Sequence, residues 1–257
     1  MNIDIVDTKA RSRHLLEKYF PRAIMNYRIM RKIGFEEEIA LLPQLCDPRK
    51  ASLDVGANIG IFTWHLMRHS LSTMAFEPNP YLSALLRRTF GDNVPVQQVA
   101  LSNRRGRANL SFPSDEHGLG SIGAADVDQD STSNPGAFTS FDVEALRLDD
   151  LELPPVGFVK IDVEGHELEV LEGAQETIQK HRPSLLVEIE ERHRPGAIEK
   201  AIELLSKWNY AGSFMVKGKL RPVSEFRQDE HQNLLNINDH GDRTGTYVNN
   251  FIFAPEN

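Results

Sequence analysis

A doubly wound α/β sheet is the fold class that this 257-residue chain predicts, and three observations predict it. Short runs rich in β-branched and apolar residues alternate with segments of helical period. The first run ends in a glycine turn, "DVGANIG" (54–60), that opens into a helix. A hydrophobic content of 40% fills one sizeable core, so a single domain over 49–257 is expected, with a helical extension over 1–48.

The elements follow in chain order. "ASLDVG" (51–56) reads as a buried strand and "IGIFTWHLMRHS" (59–70) as the helix after it. "STMAFEP" (72–78) is the second strand. Asn79 then caps a helix with Pro80 in its first turn and Leu82, Leu85, Leu86 and Phe90 on one face. "VPVQQVALS" (94–102) is the third strand, and "GRANLSF" (106–112) alternates like a half-buried edge strand or hairpin arm. Pro113 to Ala137, rich in Gly, Ser, Asp and Asn, has no apolar period and reads as a long surface loop placed as a lid. "GFVKIDVEGHE" (157–167) is a strand running into a charged turn, and the next helix, 167–181, aligns Leu168, Leu171, Ala174 and Ile178. "SLLVEIEE" (184–191) is the fifth strand and 196–209 an amphipathic helix. "YVNNFIFAP" (247–255) is a last strand that closes the sheet at an antiparallel edge.

Charge and cysteine use narrow the function classes. A net charge of −8 and a pI near 5.6 argue against a surface that holds nucleic acid, which needs a dense cationic footprint. Lys9, Arg11, Arg13, Lys18, Arg22, Arg28, Arg31 and Lys32 collect near the N-terminus, but acids are interspersed, and this segment reads as a solvated helical face without a function. The single cysteine, Cys46, has no disulfide or zinc partner in the chain, which suits a reducing compartment, the cytoplasm. There is no signal-peptide pattern and no run of membrane-spanning length, so no membrane partner is expected. Oligomeric state leaves no mark in the sequence.

In an open α/β sheet, ligands bind at the carboxyl ends of the strands, beside the first strand–helix turn. Gly56 and Gly60 remove side chains where a cofactor must lie against backbone, and the helix from about Ile59 offers free N–H groups. Glu77, at the end of the second strand, is placed to accept from a ribose diol. The dinucleotide fingerprint is broken, because Asn58 and Ile61 stand where its later two glycines belong, which disfavours an NAD(P)-linked oxidoreductase. No Gly-Lys-Ser/Thr follows, so a P-loop is excluded. A ribose-bearing cofactor without phosphates, whose cationic end Asp54 can face, remains; S-adenosylmethionine has that shape and charge.

Together and in this order, "LDVGANIGIFT", "AFEPNP", "VALSN", "LRLDDL", "FVKIDVEGHELEVLEGA" and "RPSLLVEIEE" resemble the FkbM family of S-adenosylmethionine-dependent methyltransferases, from about Phe35 to Glu191. The resemblance implies a class I methyltransferase fold, a Rossmann-like sheet of about seven strands with the last antiparallel. It also implies O-methylation of a hydroxyl on a small molecule such as a sugar, glycoside or polyketide-like metabolite. It puts Asp54, Gly56, Asn58 and Gly60 at the methionine part of the cofactor, Glu77 at the ribose, Asn79 at the ribose or adenine, and Ala100 and Leu101 at the adenine. Asn79 is equally accounted for by helix capping, and Ala100 by plain core.

The chemistry then falls to "KIDVEGHE" (160–167). Methyl transfer is an in-line displacement, so the protein has to hold an oxygen nucleophile and remove its proton. Asp162 is the first candidate for proton acceptor, cofactor contact or metal ligand. Lys160 shares its strand face and favours the ionised carboxylate, orients substrate, or simply reaches solvent. Glu164 and Glu167 lie in the same turn, where acids also suit a helix start, and His166 is a further candidate base. If the fourth and fifth strands are neighbours, Glu188 and Glu190 come near Asp162, and the three oxygens would suit Mg²⁺ or serve simply as exposed acids. The glycine-hinged loop "HGLGSIG" (117–123) adds Ser121 and His117, and His193 lies at the same rim. The non-enzymatic alternative is a module that binds the cofactor without catalysis.

Overall fold

The computed structural model describes residues 15–113, 138–237 and 244–256. Its main sheet has eight strands: β1 (Ala51–Val55), β2 (Ser72–Phe76), β3 (Val96–Gln97), β7 (Val156–Ile161), β8 (Ser184–Glu188), β9 (Tyr210–Val216), β10 (Lys219–Pro222) and β11 (Asn250–Pro255). They lie in the order β10-β9-β11-β8-β7-β1-β2-β3, with β3, β2, β1, β7 and β8 parallel to one another. Strand order reverses between β7 and β1, which is where a doubly wound sheet opens its crevice. A second sheet of three strands, β4 (Ala100–Leu101), β5 (Gly106–Pro113) and β6 (Phe138–Leu146), has the order β4-β6-β5.

Three expectations are corrected. The last strand does not lie at the edge: β11 runs antiparallel between β8 and β9, and the β9–β10 hairpin lies outside it. The third strand splits, because residues after Gln97 leave the main sheet and pair with β6 instead. The helix over 167–181 is two helices that break at Ala174. "GRANLSF", by contrast, is the hairpin arm that its alternation suggested, paired antiparallel with β6.

Helices cover both faces. α1 (Pro21–Met30), α2 (Leu42–Leu45), α3 (Ile61–Leu66) and α4 (Pro80–Phe90) precede the second sheet; α5 (Glu167–Gly173), α6 (Gln175–His181), α7 (Ala197–Lys207) and α8 (Gln228–His231) follow it. Asn79 caps α4 as expected, accepting from the N–H groups of Tyr81 and Leu82, and Pro80 opens the helix.

Strand alternation sorts the core into two layers. Val55, Phe76, Val159, Ile161, Val187 and Phe251 pack against α5, α6 and α7. Ala75, Phe158, Leu186 and Ile252 pack on the other side against α3, α4 and the N-terminal Met25, Ile39 and Leu42. The parity that sends Phe158 into the second layer also sends Asp54, Lys160 and Glu188 there. That face therefore turns polar at its carboxyl end.

Candidate active site

The turn after β1 is tied down by the protein itself. Gly56 and Ala57 donate to the Phe76 carbonyl at 2.9 and 3.1 Å, Asn58 donates to Glu77 at 2.8 Å and Gly60 donates to Ala57 at 2.8 Å. The helix starts at Ile61, two residues later than expected, and most of the turn's N–H groups are spent on β2 and Glu77 rather than left free. The reason for the glycines is corrected too. A Cβ on Gly56 would lie 1.8 Å from the Asp162 carbonyl oxygen, and one on Gly60 2.7 Å from Leu86 and Phe90, both at positive φ. Gly56 lets the β1 and β7 turns touch; Gly60 lets α3 settle on α4.

Asp54 is fully buried at the end of β1. One carboxylate oxygen accepts from the Thr63 hydroxyl, and the other has no hydrogen-bond partner among the described residues. Burial pushes its pKa up, with the Lys160 charge pulling the other way. An orphaned buried acceptor is costly, and a cationic or N–H-bearing ligand would satisfy it.

Glu77 is also fully buried, and its two oxygens accept from the Asn58 and Asn79 N–H groups at 2.8 and 2.9 Å. Burial outweighs these bonds and pushes it up to about 7. Beside it lies a mostly apolar pocket with about 410 Å³ of empty space, part of it open to solvent. Its walls include Val55, Phe76, Pro78, Val99, Ala100, Leu101 and His166. Ala100 and Leu101 thus lie where a flat heterocycle has apolar walls on several sides.

Lys160 is buried rather than reaching solvent, at 4% exposure. Its ammonium lies 2.7 Å from Asp162 and 3.4 Å from the Gly56 carbonyl, and its strand partner on β1 is Asp54. Burial alone would lower its pKa, but the carboxylates of Asp162 and Asp54 outweigh burial and hold it above the ordinary lysine range. Glu167 folds back on its own turn, accepting from the N–H groups of Gly165 at 2.8 Å and Val163 at 3.3 Å, which makes it a structural brace. His166 is held by the Ser102 hydroxyl at 3.0 Å and lies 3.5 Å from Glu169; it belongs to the pocket wall, with its pKa lowered by burial. Glu164, at φ 52°, pairs with His193 at 3.3 Å and is pushed up to about 8 by burial and by Asp162 and Glu190.

Asp162, Glu188 and Glu190 do not converge as a ligand set. Asp162 is taken by Lys160, Glu188 accepts from the Asn249 amide, and Glu190 accepts from Arg192 at 2.6 and 3.0 Å and from the Tyr247 hydroxyl at 2.5 Å. Among the described residues, the ligand atoms that do gather within 4.8 Å of one another belong to Glu164, Glu190 and His193. His117 and Ser121, with the lid that holds them, lie outside the described residues.

Sequence reasoning missed the far wall. Asn250, the first residue of β11, donates to Glu36 and to Glu38 at 3.5 Å and pairs in register with Glu188, while Lys160 feels the charge of Glu36. Only the acid run "EEE" (36–38) hinted at this, and no periodicity tied it to a strand 214 residues away. Thr63, the partner of Asp54, was read as plain helix.

Comparison with known proteins agrees with this geometry. The family described as "Methyltransferase FkbM domain" matches residues 54–211. The hexuronic acid methyltransferase AglP of Haloferax volcanii is 31% identical over 157 residues, which are 60% of this chain and 62% of that protein. The 31-O-demethyl-FK506 methyltransferase FkbM of Streptomyces tacrolimicus is 28% identical over 190 residues, 62% of this chain and 71% of that one. A solved methyltransferase FkbM from Methylobacillus flagellatus KT superposes with a TM-score of 0.50 at 17% identity, covering 80% of this chain and 44% of that one, and so shares the fold. The match thus spans less than two thirds of the haloarchaeal relative and less than half of the solved chain.

Proposed function

The chain belongs to the FkbM methyltransferase family, and on that premise we propose that it is an S-adenosylmethionine-dependent O-methyltransferase acting on a hydroxyl of a small molecule, a sugar unit or a polyketide-like metabolite. The observation that carries the cofactor assignment is the buried, partnerless oxygen of Asp54 at the carboxyl end of β1, an acceptor that a cationic amino-acid end would satisfy. Glu77 supports it, since its ionised oxygens retain lone pairs for a diol, and the apolar pocket beside Ala100 and Leu101 suits an adenine. The names of the relatives, one a hexuronic acid methyltransferase and one a 31-O-demethyl-FK506 methyltransferase, support the acceptor class.

The bound cofactor supplies a methyl group on a sulfonium, activated toward an oxygen nucleophile. The chain's part is then to orient that oxygen and accept its proton. Asp162 does this from the end of β7, its backbone against Gly56 and its carboxylate held 2.7 Å from the Lys160 ammonium. His166 shapes the pocket wall, and Glu167 holds the turn in place.

The test is calorimetry with S-adenosylhomocysteine, followed by transfer of labelled methyl from S-adenosylmethionine to a panel of glycosides and hydroxylated polyketides. Binding with label appearing only on substrates with a free hydroxyl is the expected result. Binding without transfer to any acceptor would leave a cofactor-binding module, and binding of NAD in its place would overturn the assignment.

A further inference from the structure

The segment ahead of the sheet exposes what the rest of the surface hides. Eight of the thirteen exposed large hydrophobic side chains among the described residues fall within 15–35. Leu16 and Tyr19 precede a break at Phe20, and Phe20, Ala23, Tyr27 and Met30 follow at three- and four-residue steps along the helix after it; all are exposed, Tyr19 at 64% and Met30 at 74%. The opposite face seats the helix: Met25 enters the core with Leu42 and Phe90, and Arg28 pairs with Glu17. The outward stripe is therefore not the packing face, and a contiguous apolar stripe, unlike a lone exposed leucine, calls for an occupant.

Charge identifies the occupant. Lys18, Arg31 and Lys32 flank the stripe and are exposed, while Arg22 donates to the Thr89 carbonyl at 3.0 Å. Residues 9–33 hold eight lysines and arginines against one acid, in a chain whose formal charge is −8. We propose that this face docks the protein on an anionic lipid surface, with the helix lying in the interfacial plane. Aromatic rings at headgroup depth beside lysines and arginines that reach the phosphates are the arrangement such a surface selects. The Lys18 ammonium already lies over the Tyr19 ring, 5.6 Å from its centre. A second copy meeting the stripe face to face across a twofold axis would instead bring both sets of cations together. No helix among the described residues is long and apolar enough to cross a membrane, so the attachment is peripheral. The proposal gives a role to a segment read from the sequence as a solvated face without one, and it does not depend on the methyl-transfer reading.

The test uses the full chain in flotation with vesicles of phosphatidylcholine alone and of a two-to-one mixture with phosphatidylglycerol. Binding to the anionic vesicles, weakened by salt, and little to the neutral ones is expected. Replacing Lys18, Arg31 and Lys32 together by Gln should weaken it about a hundredfold, roughly fivefold per charge. Tyr19→Ser with Met30→Ser should abolish it while the melting curve is unchanged, because both side chains are exposed. Should a variant misfold, the salt dependence of the unaltered chain still decides. Failure of the unaltered chain to float with anionic vesicles at low salt overturns the proposal. So does a dimer in light scattering that Tyr19→Ser with Met30→Ser disperses, which would make the stripe an interface between copies.

Discussion

The Lys160 ammonium lies 2.7 Å from the Asp162 carboxylate two residues along the same strand face, and Asp54 is its register partner on the neighbouring strand. One buried cation therefore serves both the acid assigned to the cofactor and the acid assigned to the proton. The two members of the pair should fail differently. Asp162→Asn keeps size and a hydrogen bond but loses the proton acceptor, so kcat should fall by about 10²–10⁴ while S-adenosylhomocysteine still binds in calorimetry. Lys160→Met leaves the buried carboxylate of Asp54 and the part-exposed one of Asp162 uncompensated and should cost about 3 kcal/mol in urea unfolding. Equal loss of cofactor binding in both variants would contradict this division.

Gly56 makes a second prediction from geometry alone. A methyl group there meets the Asp162 carbonyl oxygen at 1.8 Å, at φ 75°. Gly218 has nearly the same backbone, φ 73°, with nothing within 4 Å. Gly218→Ala should cost about 1 kcal/mol, the strain of a left-handed residue. Gly56→Ala should cost more than about 4 kcal/mol or prevent folding, read as melting temperature and soluble yield. Comparable effects at the two sites would mean that the β1 and β7 turns are not in contact.

The parts of the fold written in local chemistry were legible in the sequence. Asn79-Pro80 announced its helix, the buried run before Gly56 its strand, and the alternation over 106–112 its hairpin arm. The β9–β10 hairpin had a signal that went unread, since Lys217-Gly218, both at positive φ, is a two-residue turn of the kind that joins twisted strands. What the sequence could not carry was pairing at a distance. Whether Glu188 meets Asp162 or Asn249 depends on the strand inserted between β8 and β9, and the Glu36–Asn250 contact depends on how the N-terminal extension crosses the sheet. The glycines were found for the right turn but assigned the wrong neighbour, because period and spacing do not say which way a missing side chain would point.

The pH dependence follows from Glu77, whose carboxyl sits near 7 in the folded protein against an ordinary value of 4.5. The unfolded chain releases this proton first. The group's contribution to stability is therefore full below about 4.5, is lost as pH rises to about 7, and is flat beyond, by ~3 kcal/mol at most. Ligand-free protein should melt at lower temperature at pH 7 than at pH 5, and Glu77→Gln should remove part of that slope; Glu167, also near 7, Glu164, near 8, and Glu188, raised by burial, keep the rest. Affinity for S-adenosylhomocysteine should run the other way. A protonated Glu77 must turn one oxygen into a donor while two N–H groups already face it, so binding should weaken by up to about tenfold per pH unit below 7. Melting at pH 5 and 7 checks the first sign and calorimetry at pH 6, 7 and 8 the second, and a pH-independent affinity in the unaltered protein would remove Glu77 from the cofactor site.

Chelation is the remaining test, and the donor set decides its direction. A divalent cation at the sheet's carboxyl end would need free carboxylate oxygens, yet Glu190 gives both of its own to Arg192 and one of them also to Tyr247. These bonds hold Glu190 below the ordinary carboxylate range in spite of its burial. Displacing the guanidinium would bring two cations into one pocket, and Asp162 would have to leave Lys160 as well. Methyl transfer should therefore be unchanged by EDTA and by added Mg²⁺. Tyr247→Phe, which removes one donor from Glu190 and leaves its carboxylate to Arg192, should cost about 1–2 kcal/mol of stability without creating a Mg²⁺ requirement. Turnover that collapses on chelation and returns with Mg²⁺ would show that Arg192 gives way and that the Glu164, Glu190 and His193 cluster, not the Lys160–Asp162 pair, organises the acceptor oxygen.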